Sequence, residues 1–562
     1  MPYKDIWNGI LEDRGSDIVF MTLEWLNKWW EYHGVAKKLF ILMIIQEEQI
    51  LGFCPLMKVP AKGYEEIRFI GGDEASCMGI VVKKEFKEKV IREILDYLVD
   101  QNEKFLINIH GIFKGTYDYE IIREYMKEKK VDFLETSLKS YYINIDNQKF
   151  NDYIKTRFSR GSINTMKRKE RRLKRLGDLS FKPIDKDQQY IDAAFDLHDK
   201  RWRRKIGSSK FSQGKTRKFF RELTLLEGLP FKTYLDIIDI NGRIVSFIYG
   251  FEYKSRYTFY RIAHDDNFAI FSPGELVLRK KIEECFKRGI RLFDFGPGFE
   301  PYKAAWTKDK VEISGFLFPS HNKFSKLIYK IYHWKWNIRQ YLKEKPQIYH
   351  FVKYRLGRIK FFFYPKNAKR AIERGYDRLT IKIRDVITSL HWTQDYYIMH
   401  KDIKEYKQGE IDRRCRVEEA TVDKLELLMD ISLMDSSTIL RRLLNGEKCL
   451  LIYTDHEILC IWLNPTRLYI DMDYSLTMGT KSLCICNYYP NRKETRIKPE
   501  ILQSTLEFLK KQGYEQCYMA IRKKDLSSYN LLKSQGFKKL LCLKFERHLG
   551  KVSYKEYKGN QE

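Results

Sequence analysis

The sequence predicts a mixed α/β (α+β) protein, and three observations carry that prediction. Apolar runs of strand length alternate with stretches of helical apolar spacing, and the alternation recurs three times along 562 residues. Hydrophobic residues make up 43% and aromatics 15%, which fills several cores and is too much for an intrinsically disordered chain. At about 100–200 residues per domain, the length divides into three or four domains.

Composition also narrows the function classes. Apolar runs such as Leu39 to Ile45 fall far short of the ~20 residues that cross a bilayer. Met1-Pro2-Tyr3-Lys4-Asp5 lacks the apolar core of a signal peptide, so a cytoplasmic protein is expected. The ten cysteines are scattered without a C-x-x-C pair, and the close pair Cys484 and Cys486 shares one face of a strand. They read as reduced core thiols, and no metal site is expected. Lys and Arg number 104 against 75 Asp and Glu, a net charge of +29, which points to a polyanionic partner. Nucleic acid, an anionic membrane surface and phosphate-bearing cofactors all qualify.

The elements follow in order. In residues 1–150, Leu39–Gln46 and Gln49–Pro55 form a hairpin across Glu47-Glu48. Phe86–Gln101 is helical, with apolar Val90, Ile91, Ile94, Leu95 and Leu98 on one face. Strand Phe105–Ile109, helix Tyr119–Lys129 and strand Tyr141–Ile145 complete the unit. Lys155–Arg175 then holds ten Lys/Arg and one acid, Glu170. The second unit, residues 151–320, has strands Phe231–Asp239 and Ile244–Tyr253 joined at Asn241-Gly242, a hairpin signal. Strand Tyr257–His264, a loop, helix Glu275–Arg288 stopped by Gly289, and strand Arg291–Phe295 follow. Residues 321–396 form a basic, aromatic connector of helical spacing, broken near Pro346 and Pro365. Within it Lys323–Lys360 carries eleven Lys/Arg and one acid, Glu344, among Tyr329, Tyr332, Trp334, Trp336, Tyr341 and Tyr349. The third α/β unit, 397–562, has strands at Cys449–Thr454, Ile458–Leu463, Ser482–Asn487 and Glu515–Ile521, with helices Ile501–Gln512 and Ser527–Ser534.

Two constellations in the middle unit carry chemistry. Hairpin, third strand, loop, helix and further strand are the core order of an acyl-CoA-binding domain. Ser272-Pro273-Gly274-Glu275 supplies a loop whose backbone N–H groups can meet a pyrophosphate at a helix start. It reads equally as an ordinary helix cap. Next, Gly296-Pro297-Gly298-Phe299-Glu300-Pro301-Tyr302-Lys303 and then Trp306 follow a strand end. Acyl transfer to an amine needs the ammonium deprotonated, the carbonyl polarised and the leaving thiolate protonated. Glu300 suits the base, Tyr302 the proton donor, and Lys303 a charge for phosphate or oxyanion. The alternative is a turn and a Tyr/Trp-rich helix packed on the sheet.

Together with Leu197-His198-Asp199-Lys200-Arg201-Trp202 and Lys167-Arg168-Lys169-Glu170-Arg171-Arg172, these motifs resemble the CelD/BcsL-type acetyltransferases of polysaccharide synthesis. Those form a FemAB-like branch of the GNAT superfamily. The resemblance spans about residues 15–320. It implies tandem GNAT-like domains with the second active, an acetyl-CoA or other acyl-CoA donor, and a sugar or cell-envelope precursor as acceptor. It maps onto His198, Arg201 and Trp202, which with Trp306 of the strand-end constellation are the residues expected to bind substrate. It also maps onto Ser272, Pro273, Gly274, Gly296 and Gly298, which with Glu275 of the loop are expected to bind the cofactor, and onto Glu300, Tyr302 and Lys303, expected to carry catalysis. Many relatives have Arg where this chain has Pro297. FemAB-like relatives that use aminoacyl-tRNA keep tRNA as an alternative partner. Residues 397–562 also resemble a GNAT domain. There Lys493-Glu494-Thr495-Arg496-Ile497-Lys498 stands where a glycine-bearing pyrophosphate loop is expected, and Leu532 where a proton-donating Tyr is common. A binding or scaffold role is expected for that unit. Lys155–Arg175 reads as a solvated helical face, and the aromatic connector as a contact for an anionic membrane, a surface that stacks on RNA bases, or a bridging helix packed between the acyltransferase units.

Overall fold

The structure is a computed structural model. It describes residues 3–343 apart from 147, 185–186, 208 and 299. It also describes residues 391–557 apart from 405–414, 456, 466, 471–473, 480, 490–497 and 549–550. The chain divides into two units. The first comprises Met1–Arg168, Ser180–Ile238 and Ile244–Phe361, and the second Lys169–Leu179, Asp239–Arg243 and Phe362–Glu562.

The first unit opens with helices α1 (Lys4–Asp13) and α2 (Leu23–His33), the latter capped by the Thr22 hydroxyl. Strands β1 (Lys38–Gln46), β2 (Gln49–Ala61), β3 (Tyr64–Phe69) and β4 (Val81–Val82) precede α3 (Lys87–Val99). Then come β5 (Phe105–Phe113), α4 (Tyr117–Glu128) and β6 (Leu134–Asn144). Helices α5 (Phe150–Arg157) and α6 (Arg160–Lys174) lead to β7 (Leu179–Pro183), α7 (Gln188–Ile206) and α8 (Gly214–Leu225). The second half continues with β8 (Lys232–Ile240), β9 (Arg243–Tyr253), β10 (Arg256–His264), α9 (Pro273–Lys287) and β11 (Leu292–Pro297). It closes with α10 (Pro301–Trp306), β12 (Lys310–Pro319) and α11 (Lys323–Lys343).

All these strands join one twelve-stranded sheet, ordered β1-β2-β3-β5-β12-β6-β11-β10-β9-β8-β7, with β4 on β2. A unit of two antiparallel pairings, a crossover helix and a parallel strand occurs twice. It is β1-β2-β3-α3-β5 in the first half and β8-β9-β10-α9-β11 in the second. The last strand of each half is placed between the two. Strand β12 pairs with β5, and β6 pairs with β11, so the halves share hydrogen-bonded edges. Their aromatic cores also meet: the buried Trp25 ring stands edge-on to Phe219 at 5.7 Å, and Phe20 to Phe251 at 5.9 Å. The predicted hairpin at Asn241-Gly242 forms with both residues at positive φ (50° and 82°), as a tight twisted turn requires.

The second unit has β13 (His391–Asp402), β14 (Arg416–Glu419), α12 (Leu425–Ser432), α13 (Ser436–Leu444), β15 (Lys448–Tyr453) and β16 (Ile458–Asn464). After the small ladder β17 (Arg467–Ile470) and β18 (Tyr474–Thr477) come β19 (Ser482–Tyr489), α14 (Pro499–Lys511) and β20 (Gln516–Arg522). Helix α15 (Leu526–Ser534) and strands β21 (Lys538–His548) and β22 (Lys551–Tyr557) end it. The sheet order is β14-β15-β16-β19-β20-β13-β21-β22. Strands β19 and β20 are parallel across α14, a third instance of the crossover. The mixed α/β class expected from the sequence is what the fold has.

Seven of the nine described cysteines are buried, Cys415 and Cys542 are half-buried, and none is bridged among the described residues. No metal-ligating cluster and no helix long and apolar enough to cross a membrane occurs among the described residues. The connector from 344 to 390, with Tyr349, Pro346 and Pro365, lies outside the described residues. So do Lys493–Ile497, of the segment standing in for a pyrophosphate loop, and Phe299 of the glycine turn.

Candidate active site

The site is built where β10 and β11 part. The parallel strands pair from Arg256 opposite Leu292 to Thr258 opposite Asp294. Beyond that point β10 runs to His264 and β11 to Pro297 with no further pairing between them. On its other edge β10 pairs with β9, and the register jumps between Phe259 and Arg261, so Tyr260 is an extra residue. Such a bulge bends a strand and leaves a backbone group unpaired, which opens the gap further.

Asp294 anchors the far wall. Its buried carboxylate accepts from the Gly296 amide at 2.8 Å, the Ser140 hydroxyl at 3.3 Å and Arg256 Nη2 at 2.7 Å. Arg256 also reaches Asp17 at 2.9 Å. Burial opposes its charge, but Asp294 and Asp17 together hold the guanidinium above its ordinary range.

On the near side, a short turn from Asp266 to Phe271 follows β10, and Ser272 sits in the left-handed region at φ 52°. Pro273 opens α9, as its fixed φ favours. The Ser272 hydroxyl does not cap the helix; its carbonyl accepts from Leu276 at 3.1 Å. The Gly274 and Glu275 amides have no partner among the described residues, so the start of α9 presents free N–H groups. A Cβ on Gly274 would lie 2.8 Å from His264 Nδ1, so glycine is what lets that imidazole rest against the helix start. His264 Nε2 stands 2.7 Å from Arg201 Nη1, and Arg201 also pairs with Asp266. Arginine only donates, so Nε2 accepts and the neutral ring carries its proton on Nδ1, beside Gly274. Burial, then the Arg201 charge, push His264 down to about 4, which keeps the ring neutral at physiological pH.

The predicted catalytic residues lie on the turn after β11. Tyr302 is half-buried, and burial and then Glu300 raise its phenol well above the ordinary range, so it stays protonated. Its hydroxyl has no hydrogen-bond partner among the described residues. Glu300 is 51% exposed and offers Oε2 to Lys303 Nζ at 2.8 Å. Lys303 is buried and also donates to the carbonyls of Gly296 and Pro297, each at 3.2 Å. Three acceptors take up its three protons, so it staples the turn instead of presenting a free cation. Gly298, at φ 127°, donates its amide to Lys139 at 3.0 Å, and a Cβ there would meet Glu300 Oε2 at 2.8 Å.

The predicted substrate residues divide. Trp306 is buried, its ring edge-on to Phe158 at 4.9 Å and its carbonyl accepting from Tyr153 and Arg157, so the structure places it in the core. His198 is buried too, with Nδ1 3.1 Å from Ser209 Oγ, and burial with the Arg261 and Arg201 charges pushes it down to about 3. It stacks on Trp202, whose Nε1 is buried without a partner among the described residues. The Tyr260 hydroxyl is likewise buried and unpaired, and Arg261 lies over its ring at 4.3 Å. Arg261 also donates to the Tyr260 carbonyl at 2.9 Å, and its charge adds to burial in disfavouring a proton on His198.

Sequence reasoning missed His264, Arg261, Tyr260 and the Arg256–Asp294 pair. A histidine at the point where a strand hands over to a helix was the one available signal; its partner Arg201 lies 63 residues away in sequence, and Asp17 lies 239 from Arg256.

The description "Acetyltransferase (GNAT) domain" matches residues 160–304. Among solved structures, the chain is similar to a conserved protein of unknown function from Bacteroides thetaiotaomicron VPI-5482, at 12% identity over 56% of this chain and 97% of that one, TM-score 0.37. It is similar to FemX at 11% identity over 55% and 95%, TM-score 0.40. It is also similar to L-PGS from Bacillus licheniformis at 10% identity over 58% and 96%, TM-score 0.35. At such scores nothing about this chain's chemistry follows from them. No curated protein matches the chain. The gap between β10 and β11, with the start of α9 beside it, thus lies in the part of the chain that matches an acetyltransferase (GNAT) domain.

Proposed function

We propose that the protein transfers an acyl group from an acyl-CoA, acetyl-CoA first among them, to an amine or hydroxyl of a sugar, polysaccharide or cell-envelope precursor. The observation that carries this reading is the parted β10–β11 pair, with the free Gly274 and Glu275 amides and the His264 Nδ1–H at its mouth. Three donors converging at a helix start suit a pyrophosphate. The unpaired edges of β10 and β11 suit the amide-bearing arm of the donor.

The chemistry is direct attack in a ternary complex, since the thiol of α9, Cys285, is buried and raised by desolvation and so is no nucleophile. Glu300, 51% exposed, takes the proton of the acceptor amine. The nitrogen attacks the thioester carbonyl, and the oxygen charge that develops faces the bulge at Tyr260 and the Arg261 guanidinium. Collapse breaks the C–S bond, and Tyr302 gives its proton to the departing thiolate. Solvent then returns the proton from Glu300 to Tyr302.

In the second unit Leu532 is buried where a proton donor is common, which supports a binding or scaffold role there. The net charge of +29 favours a second reading, transfer from aminoacyl-tRNA to a cell-wall precursor. A non-catalytic scaffold for polysaccharide synthesis is the third. Work on envelope precursors in the cytoplasm would bring the protein to an anionic membrane face.

The test is CoA release with acetyl-CoA and a panel of amino sugars. The Glu300→Gln, Tyr302→Phe double variant should lose roughly 10²–10⁴-fold in turnover. Full turnover in it sinks the site assignment, and a strict requirement for charged tRNA moves the donor to RNA. Absence of any acyl-CoA binding by calorimetry moves the reading to a scaffold.

A further inference from the structure

We infer that α11 is the surface through which the protein docks on an anionic lipid bilayer. One side of this helix is tied to the sheet. Ser325 and Tyr329 are 1% and 5% exposed, Tyr329 packs with Leu106 and Leu317, and the Tyr332 and Tyr64 hydroxyls lie 3.4 Å apart. The opposite side carries a continuous apolar stripe. Leu327, Ile331, Trp334, Ile338 and Tyr341 follow the 4-3-4-3 spacing that keeps residues on one helical face. They are 53%, 39%, 65%, 40% and 58% exposed, although a helix packed on one face ordinarily turns polar residues outward there.

The charge around the stripe decides what it meets. Lys326 and Lys330 border it on one edge and Lys335 and Arg339 on the other, all exposed, and no Asp or Glu occurs between residues 323 and 343. A complementary protein groove would account for the stripe and leave the one-signed charge without a purpose. A nucleic acid would account for the cations and leave exposed Leu and Ile facing a phosphate backbone. An anionic bilayer takes both. The Leu and Ile side chains enter the boundary between headgroups and acyl chains, Trp334 and Tyr341 sit at headgroup depth, and the bordering cations meet lipid phosphate. Six Lys and Arg within the helix keep it lying in the interface rather than crossing.

The inference specifies the membrane partner of the proposed function but not its chemistry, and its readout needs no acyl-CoA. The full chain is floated with vesicles of phosphatidylcholine alone and of phosphatidylcholine with an equal part of phosphatidylglycerol. Binding to the anionic vesicles alone, weakened by salt, is expected. Lys326→Gln, Lys330→Gln, Lys335→Gln together should weaken it roughly 100-fold, at about 5-fold per cation. Ile331→Ser with Trp334→Ala should abolish it, while Lys127→Gln on α4 with Lys130→Gln just beyond its end leaves it unchanged. Each variant should keep wild-type CoA release on a soluble acceptor. Wild-type protein that stays off anionic vesicles, vesicle binding indifferent to the α11 variants, or α11-dependent binding of tRNA in place of vesicles would each overturn the assignment. Turnover that fails while vesicle binding holds counts against the acyltransferase reading alone.

Discussion

At the residue scale, the site depends on groups whose protonation is set by burial. Lys303 is a positioning residue: it holds the carbonyls of Gly296 and Pro297 and the Glu300 carboxylate. Lys303→Met leaves those acceptors without a donor and should lower stability by about 2 kcal/mol in urea unfolding. His198 and His264 illustrate the opposite case, pushed down to about 3 and about 4. Both titrate near 6.5 when unfolded, so below that pH the unfolded chain takes up protons that the folded one refuses. Their stabilisation is therefore present above about pH 6.5 and is lost as pH falls toward the folded values. Each contributes a loss of about 2 kcal/mol by pH 5. The urea midpoint of the wild type should drop between pH 7 and pH 5, and His198→Asn should show a visibly smaller drop; equal drops would refute the assignment.

At the element scale, the turn from β10 into α9 uses two neighbouring backbone positions in opposite ways. Ser272 occupies a left-handed conformation that costs a side-chain-bearing residue about 1 kcal/mol. Ser272→Gly should therefore be neutral or stabilising by up to about 1 kcal/mol. Gly274 has ordinary backbone geometry but no room, since a Cβ would press on His264 Nδ1 at 2.8 Å. Gly274→Ala should displace the imidazole from both Arg201 and the helix start. Calorimetry should then show acetyl-CoA affinity weakened at least about tenfold while the melting temperature changes little. A variant that binds as the wild type does would separate His264 from the cofactor site. Most of these elements were legible from local pattern: the Asn241-Gly242 hairpin, the helix ended by Gly289 at φ 66°, and Pro273 at its start all stand where spacing and turn chemistry put them. Helices α7 and α8 and strands β12, β13 and β21 were not read, because their apolar positions are spaced by contacts with distant elements.

At the scale of the whole molecule, the interleaving of β12 and β6 sets what can fold alone. A fragment of residues 1–150 would lack β12, the partner of both β5 and β6, and would expose two unpaired strand edges. Fragment 1–343 retains the complete twelve-stranded sheet. The shorter fragment should aggregate or unfold without cooperativity, and the longer one should melt in a single transition by circular dichroism. A cooperative 1–150 fragment would show that the shared edges are dispensable.

The sequence by itself determined the α/β class, two of the three strand–helix–strand crossovers, the turn chemistry around Ser272–Glu275 and Gly296–Gly298, and the charge excess. Each of these is a local property, settled by neighbours a few residues apart. Only the tertiary structure decided which side chains work together. It turned Trp306 into the core and gave Lys303 three internal acceptors. It brought His264 to Arg201 and the head of α9, and left the Tyr260 hydroxyl without a partner among the described residues, with Arg261 over its ring. Burial and long-range pairing fix those roles, and neither is a function of spacing along the chain.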